Sequence, residues 1–283
     1  MSESARQAPP SLVPEVGWHV LHLFYRIDRE RLARLTPALR AEGRRQFAET
    51  MRIAPAGEAQ RAGGPKQLQT LAVVGHKADF GVILAGPDLR GVSAVQQGLQ
   101  ASALGTVLEP MYSFASLTEV SEYVPTLEDH ARRLREEEGL SPESEVYRVK
   151  VEALRARQDQ IQNIRLYPEF PNWPAICFYP MNKRRGEHTN WYALHYDARR
   201  NLMASHGRTG GEFSGRVSQL ITSSTGLDDW EWGVTLWARN PAYLKELVYT
   251  IRFDPSSALY AEFGPFYYGF VLPAEELLDH LHL

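Results

Sequence analysis

The sequence predicts an α+β fold made of two modules that repeat one order of elements. Apolar runs of strand length alternate with stretches of helical periodicity in the order β-α-β-β-α-β, once before and once after a highly charged segment. Residues 77–92 and 227–244 also correspond, since each combines an acidic turn, an apolar strand, a short breaker and a helix. Such a repeat indicates two ferredoxin-like modules. Each open sheet leaves an apolar face, so we expect the modules to pair as a dimeric α+β barrel within one chain.

The first module is predicted to span residues 16–123, after a tail at 1–15. This tail contains proline and polar residues and lacks the basic and apolar regions of a secretory signal, and we expect it to be flexible. The apolar and aromatic run at 18–28 has the length of a strand. The next stretch, 29–51, carries leucines at helical spacing and predicts one helix.

The rest of this module predicts a hairpin, a helix and a final strand. A loop rich in Gly, Ala and Pro at 56–66 precedes the hairpin at 68–86, in which the sequence GHKAD supplies the turn. The stretch 87–105 then predicts a helix, and 110–123 predicts a strand. These elements complete the first β-α-β-β-α-β set.

Residues 124–165 differ in composition from both modules and form a predicted connection. Opposite charges recur four residues apart along this segment, a pattern typical of solvated helices. We therefore expect one or two charged connecting helices.

The second module, predicted at 166–283, repeats the order of the first. Its apolar runs and helical stretches predict strands at 174–180, 190–197 and 264–273, a hairpin at 217–239, and helices at 198–211 and 241–253.

Composition limits the classes of function. The chain has 31 basic and 34 acidic residues, so its overall charge favours neither nucleic acid nor a membrane surface. No apolar run approaches the roughly 20 residues that cross a bilayer. The single cysteine, Cys177, excludes an intrachain disulfide and fits a reducing compartment. We expect a cytoplasmic protein without a membrane span.

One short stretch groups residue types that are suited to oxidative chemistry. Within CFYPMNKRRG the phenol of Tyr179 precedes a basic loop that begins at Lys183, and His206 follows later, before Gly207 at a predicted helix end. Glycine there suits the left-handed C-cap position. The imidazole is a candidate axial ligand of iron. Equally, a histidine at a helix end is a common partner of the helix dipole, and the basic loop fits an ordinary surface.

The sequence lacks the motifs of several other kinds of reaction. The glycine-rich stretch 207–216 lacks the spacing of a phosphate-binding loop or a dinucleotide fingerprint. The chain has no GxSxG nucleophile elbow and no HExxH metal motif. Nucleotide binding, nucleophilic hydrolysis and zinc-protease chemistry are therefore not indicated.

Three separated segments, at 176–192, 200–238 and 249–269, resemble the coproheme decarboxylases of the chlorite dismutase superfamily, particularly the type found in Firmicutes. They agree with that family in order and spacing. The close resemblance covers roughly residues 163–270, and the first half of the chain is similar mainly in its order of elements and in WHVLHLFYRID.

The resemblance implies roles for individual residues. The histidine of the family's HG motif, here His206, is the axial iron ligand. The tyrosine of YPM, here Tyr179, becomes the oxidising radical, Lys183 assists the propionate chemistry, and Met181 lies against the porphyrin. The residues at the positions that hold propionates are Arg165, Arg252 and Ser257.

Gln219 occupies the position that distinguishes the branches of this superfamily. True chlorite dismutases carry an arginine there, and the decarboxylases of Actinobacteria carry a histidine. A cationic residue would favour retention of a chlorine oxyanion, whereas the neutral amide of Gln219 offers hydrogen bonds without the charge. The resemblance therefore favours the Firmicutes-type decarboxylases over chlorite degradation.

The implied substrate is iron-coproporphyrin III (coproheme), the implied product is haem b, and hydrogen peroxide is the implied oxidant. Two alternatives use the same pocket: a haem peroxidase or chlorite-degrading enzyme, and a non-catalytic haem carrier or sensor. The resemblance further implies a homopentamer and a transient contact with coproporphyrin ferrochelatase.

Overall fold

The computed structural model of the chain describes residues 11–53 and 64–283. Residues 1–10 of the predicted tail and 56–63 of the predicted loop lie outside the described residues. Within the first module the elements are, in order, β1 (His19–Ile27), α1 (Arg29–Arg34), α2 (Pro37–Thr50), β2 (Gln67–Val73), β3 (Phe80–Gly86), α3 (Leu89–Ala101) and β4 (Leu108–Thr118).

Two helices connect the modules, and the second module follows them. The connection contains α4 (Leu127–Glu136) and α5 (Glu145–Leu166). The second module contains β5 (Ala175–Lys183), α6 (Tyr196–Gly211), β6 (Val217–Ser223), β7 (Trp232–Ala238), α7 (Pro241–Ile251), α8 (Pro255–Tyr260), β8 (Ala261–Phe263), β9 (Tyr267–Val271) and α9 (Ala274–His280).

Antiparallel pairing gives both modules the same sheet order. The first module runs β4-β1-β3-β2, and the second runs β9-β5-β7-β6, which is the same order for the corresponding strands. β2 pairs with β9 and β4 pairs with β6, so the two sheets join in a ring of eight strands. The prediction of two ferredoxin-like modules paired within one chain is therefore confirmed.

The ring separates three hydrophobic clusters. Alternation along each strand sends one set of side chains inside the ring and the other set outside. Phe24, Phe114, Phe178 and Trp237 are buried in the inner cluster. Helices α1, α2, α3 and α9 contribute to the outer cluster of the first module, and α7 contributes to that of the second. The outer face of the second module carries the candidate site.

The junction between β2 and β9 requires a glycine. A Cβ atom at Gly269 would lie 1.9 Å from the carbonyl oxygen of Ala72, which no side chain can tolerate. Gly269 is paired with Val73, so this close approach lies where the two modules join.

Two of the elements predicted from the sequence are wrong. The helix expected at 29–51 is two helices, because Thr36 caps α2 by accepting a hydrogen bond from Leu39 N, and Pro37 occupies the first turn. The strand expected at 190–197 is a short 3₁₀ turn, Trp191–Ala193, followed by α6. Its alternating aromatic residues resemble a strand, but the Asn190 side chain accepts from Tyr192 N and starts the turn.

The expected helix end at Gly207 is also wrong. Helix α6 continues through Gly207 to Gly211, and within the glycine-rich stretch 207–216 the left-handed backbone is at Gly215, with φ 77°. Helix α8, strand β8 and helix α9 were not predicted. None of the helices in the described part of the chain is long and apolar enough to cross a membrane.

Candidate functional site

Strand β5 carries the tyrosine and the lysine of the candidate site on one face. Side chains two residues apart on a strand point the same way, so Tyr179, Met181 and Lys183 share the outer face of the ring. Tyr179 and Met181 pack in the outer cluster of the second module, while their neighbour Phe178 points into the ring. Lys183 was expected in a loop, but β5 extends through it and buries it.

Tyr179 is held between aromatic rings in a buried position. Its ring stacks on Phe266 with centroids 4.4 Å apart and lies 5.7 Å from Phe263. Burial raises the pKa of Tyr179, and the nearby guanidinium of Arg252 opposes this only in part. The phenol therefore remains protonated at neutral pH, the form that can give up an electron and a proton together.

Arg252 brings a cation to the same aromatic group. It follows the last residue of α7, is exposed, and places its guanidinium carbon 5.5 Å from the centroid of the Phe263 ring. A planar guanidinium in this position can bind a carboxylate through two hydrogen bonds.

His206 lies on α6 and faces a buried carboxylate. Its Nδ1 is 3.2 Å from Asp254 Oδ2 and 3.5 Å from Ser257 Oγ. With the proton on Nδ1, the ring donates to Asp254, and Nε2 carries the lone pair that a metal would need. Burial lowers the pKa of His206, although Asp254 opposes this shift. The imidazole is therefore neutral at physiological pH.

Asp254 is the site residue that the sequence analysis missed. It caps α8, where its Oδ2 accepts from Ser256 N at 3.1 Å and from Ser256 Oγ at 2.6 Å. Its Oδ1 is buried and has no hydrogen-bond partner among the described residues. The sequence Asp-Pro-Ser signals a helix start. Nothing in that signal places the carboxylate against a histidine 48 residues earlier.

Lys183 is enclosed on the same side. Its Nζ donates to the carbonyl oxygen of Ser256 at 3.1 Å and lies 4.2 Å from the centroid of the Trp191 ring. Burial lowers the pKa of Lys183 to about 8, while the carboxylates of Asp254 and Glu231 oppose this effect. The amine can therefore exchange a proton near neutral pH, as acid and base catalysis requires.

Helix α6 does not close onto the sheet beside it. No residue of α6 is buried, whereas α7 buries Leu244, Leu247 and Ile251. Gln219 and Ile221 are exposed on the outer face of β6, although buried side chains flank them along the strand. This leaves a surface of mixed polar and apolar character between α6 and β6.

Gln219 is near α6 as well as on β6. A Cβ atom added at Gly210 would lie 3.6 Å from Gln219 Nε2, and one added at Gly207 or Gly211 would meet no atom within 4 Å. The glycines thus leave room along this side of α6, and Gln219 supplies an uncharged hydrogen-bonding group there.

Arg165 is the predicted site residue with the least contact to the others. It lies exposed in the last turn of α5 and has no hydrogen bond or ion pair in the part of the chain that the structure describes. The next residue, Leu166, accepts a hydrogen bond from Thr118 Oγ1 at 2.8 Å, and Thr118 pairs with Thr222 of β6. Its helix therefore ends beside the strand of Gln219.

The structure thus brings most predicted site residues to the outer face of the second module. Around β5, α7 and α8 it gathers Tyr179, Met181, Lys183, His206, Arg252 and Ser257. The donor set fits an iron porphyrin with acidic substituents. It provides one neutral imidazole backed by a carboxylate, cationic and hydroxyl groups for carboxylates, and aromatic surface for the ring.

Comparisons with known proteins show which proteins the chain is similar to. Residues 40–272 match the family model described as chlorite dismutase. A coproheme decarboxylase from Staphylococcus carnosus is 36% identical over 262 residues, covering 92% of this chain and 94% of that protein. The solved structure of a haem-binding protein from Thermus thermophilus is 35% identical, with a TM-score of 0.75, and covers 95% of this chain and 96% of that one.

A third relative is much longer than this chain. The protein from Natronomonas pharaonis is 36% identical over 277 residues, which cover 96% of this chain but 42% of that protein. The chain thus spans about two fifths of the length of this relative.

Proposed function

The chain belongs to the chlorite dismutase family, and we propose that it converts iron-coproporphyrin III to haem b by two successive oxidative decarboxylations that consume hydrogen peroxide. The observation that carries the proposal is the shared face of β5, where a buried, protonated Tyr179 lies four residues along the strand from the second buried reactive group, Lys183. The coproheme decarboxylase from Staphylococcus carnosus supports the substrate.

The reaction balances for each propionate with one peroxide. A propionate becomes a vinyl group by losing carbon dioxide, one proton and two electrons. Hydrogen peroxide takes up the two electrons, this proton and one further proton from solvent, and becomes two water molecules. The iron porphyrin, when bound, supplies the oxidising power of this exchange.

Tyr179 is the residue proposed to remove hydrogen from the propionate. Its phenol can lose an electron and a proton and then take a hydrogen atom from the β-carbon of the side chain. Transfer of a second electron from the propionate to the oxidant then releases carbon dioxide and leaves the vinyl group. Stacking on Phe266 and a tilted contact with Phe263 hold the buried ring in place. Phenylalanine at this position could not take part in the transfer.

Lys183 is proposed to position the carboxylate or to move a proton. Its amine is buried and has a pKa of about 8. It can therefore stabilise a nearby carboxylate as a cation or donate a proton to it. His206, oriented by Asp254, would bind the iron, and Met181 would lie against the porphyrin. Arg165, Arg252 and Ser257 would hold propionates, and Gln219 would face the other side of the ring.

Gln219 also argues against a chlorite-degrading enzyme, because the site then has no cation to retain an oxyanion there. The proposal further includes assembly as a homopentamer, a transient contact with coproporphyrin ferrochelatase and a cytoplasmic location. These rest on the resemblance of the sequence to the decarboxylases, and native mass spectrometry of the purified chain would test the pentamer.

The direct test is analysis of the porphyrin by mass. Purified protein is loaded with iron-coproporphyrin III and titrated with hydrogen peroxide. We expect a product with one vinyl group and then haem b, with one carbon dioxide released for each peroxide consumed. A haem peroxidase would consume peroxide without these masses, and a carrier would leave the porphyrin unchanged. Either result would refute the proposal.

A further inference from the structure

Glu231 is a buried carboxylate that the proposed reaction does not use. Its side chain is only 8% exposed, and it immediately precedes β7, next to the end of β5. Burying a carboxylate is costly unless hydrogen bonds or cations compensate for the lost hydration. The contacts of Glu231 show what compensates for this cost.

Two reciprocal hydrogen bonds join Glu231 to the end of β5. Glu231 Oε2 accepts from the backbone N–H of Lys183 at 2.8 Å. In return the backbone N–H of Glu231 donates to Asn182 Oδ1 at 2.8 Å. The first bond holds the backbone of Lys183 itself, and the second holds the side chain of its neighbour Asn182. The first bond therefore helps to set the direction in which the Lys183 side chain leaves the strand.

Glu231 also contacts the segment that covers Lys183. Its Oε1 lies 3.8 Å from Arg185 Nη1, and burial together with the nearby Glu231 carboxylate raises the pKa of Tyr192. Arg185 precedes the turn Trp191–Ala193 and Tyr192 lies within it, next to Trp191, the residue whose ring lies 4.2 Å from Lys183 Nζ. Glu231 therefore contacts both the backbone of Lys183 and the turn that covers its amine.

We propose that Glu231 is a positioning residue that holds Lys183 against Trp191 and Ser256 for the decarboxylation. The negative charge of Glu231 acts on the Lys183 amine, and its hydrogen bond holds the backbone of the same residue. The titratable groups that act on the Lys183 amine are the carboxylates of Asp254, which caps α8, and of Glu231, which precedes β7, together with the neutral imidazole of His206 on α6. The catalytic part of this inference rests on the proposed function, whereas the effect on Lys183 does not.

The lysine content of the chain makes the effect on Lys183 directly measurable. The sequence has five lysines, so selective ¹³Cε-lysine labelling gives five signals, which Lys→Arg variants assign. Two properties of the Lys183 signal are read in the protein without porphyrin. One is its titration midpoint, and the other is the upfield ring-current shift of its ε-protons from Trp191.

The variants are Glu231→Gln, which removes the charge at nearly constant size, and Glu262→Gln as a matched control. Glu262 is exposed on β8 and pairs with Asn182, so the control removes a carboxylate beside the same end of β5 without touching Lys183. In Glu231→Gln we expect the Lys183 midpoint to fall by about 1 pH unit and the ring-current shift to shrink. Glu262→Gln should leave both as in wild type.

An unchanged Lys183 signal in folded Glu231→Gln would overturn the inference. Should that variant fail to fold, Glu231→Asp is used, since it keeps the charge and shortens the side chain. Its ring-current shift should then shrink, and an unchanged shift would overturn the inference equally.

Turnover completes the test and separates the two proposals. With iron-coproporphyrin III and peroxide, Glu231→Gln should lower kcat by ~10- to 100-fold with KM for the porphyrin unchanged. If wild type formed no haem b while the Lys183 signals moved as expected, the proposed function would fail and the placement of Lys183 by Glu231 would stand. If kcat did not change although the signals moved, the catalytic role of Glu231 would be refuted.

Discussion

At the scale of single residues, the site depends on pairs in which a buried charge sets the state of its neighbour. Asp254 accepts from His206, and its carboxylate is nearly inaccessible, with 2% of its side chain exposed. A carboxylate behind an imidazole fixes which nitrogen carries the proton and makes the other nitrogen a stronger ligand. Asp254 thus orients a residue that the sequence alone could name but not place.

Asp254→Asn should weaken iron binding through His206 while leaving the fold intact. The amide keeps the shape of the side chain but cannot hold the imidazole proton as a carboxylate does. We expect affinity for ferric porphyrin to fall by ~10- to 100-fold and the absorption and Fe–His resonance Raman bands to change. Asp197→Asn, an exposed change on the same helix α6, is the control. Wild-type spectra in Asp254→Asn would contradict this role.

Lys183 should make stability depend on pH in the alkaline range. Its pKa is about 8 in the folded chain and 10.5 as an ordinary value, so the unfolded chain binds more protons between these values. Stability contributed by this group therefore rises with pH from about 8 to 10. Lys183→Met should flatten that rise, by on the order of 1–3 kcal/mol over the window.

Chemical denaturation at several pH values measures this difference. The exposed Lys245→Met on α7 is the control, and its curve should run parallel to that of wild type. A Lys183→Met curve with the wild-type slope would show that the amine is not buried as described.

At the scale of elements, local patterns predicted most strands and helices and failed where side-chain capping determines where a helix or turn begins. The spacing of Tyr179, Met181 and Lys183 follows from strand alternation alone, so their common face was predictable. The break before α2 and the turn at Trp191 depend on side-chain caps that compete with a continuous apolar pattern. The capping hydrogen bonds determine the structure at these positions, and the spacing of apolar residues does not predict them.

The junction between the modules should be sensitive at Gly269. Gly269→Ala would force a Cβ atom to 1.9 Å from the carbonyl oxygen of Ala72, so β2 and β9 must separate. We expect a loss of ~1–3 kcal/mol in the free energy of unfolding, or more if the pairing breaks. The matched control is Gly211→Ala in α6, where the added Cβ meets no atom within 4 Å. It should be neutral or stabilising, and equal stability of the two variants would contradict the close approach.

At the scale of the whole molecule, the site exists only because separate elements meet. His206 and Asp254 are 48 residues apart, and Lys183 and Ser256 are 73 apart. Periodicity cannot supply contacts at such separations, and the resemblance to a family supplied residue names without their distances. The depth at which Lys183 is buried, the carboxylate of Asp254 and the hydrogen bond from Lys183 to Glu231 appear only once the ring of strands is formed.

The central claim is that Tyr179 passes the oxidation to the propionate, and Tyr179→Phe tests it most directly. Tyr268→Phe on the paired strand β9 is the control, since Tyr268 is 40% exposed. Each protein is loaded with iron-coproporphyrin III and given excess hydrogen peroxide, and the porphyrin is followed by mass. We predict that wild type and Tyr268→Phe form haem b, whereas Tyr179→Phe binds the substrate and reacts with peroxide but releases little or no carbon dioxide. Formation of haem b by Tyr179→Phe at the wild-type rate would contradict the claim.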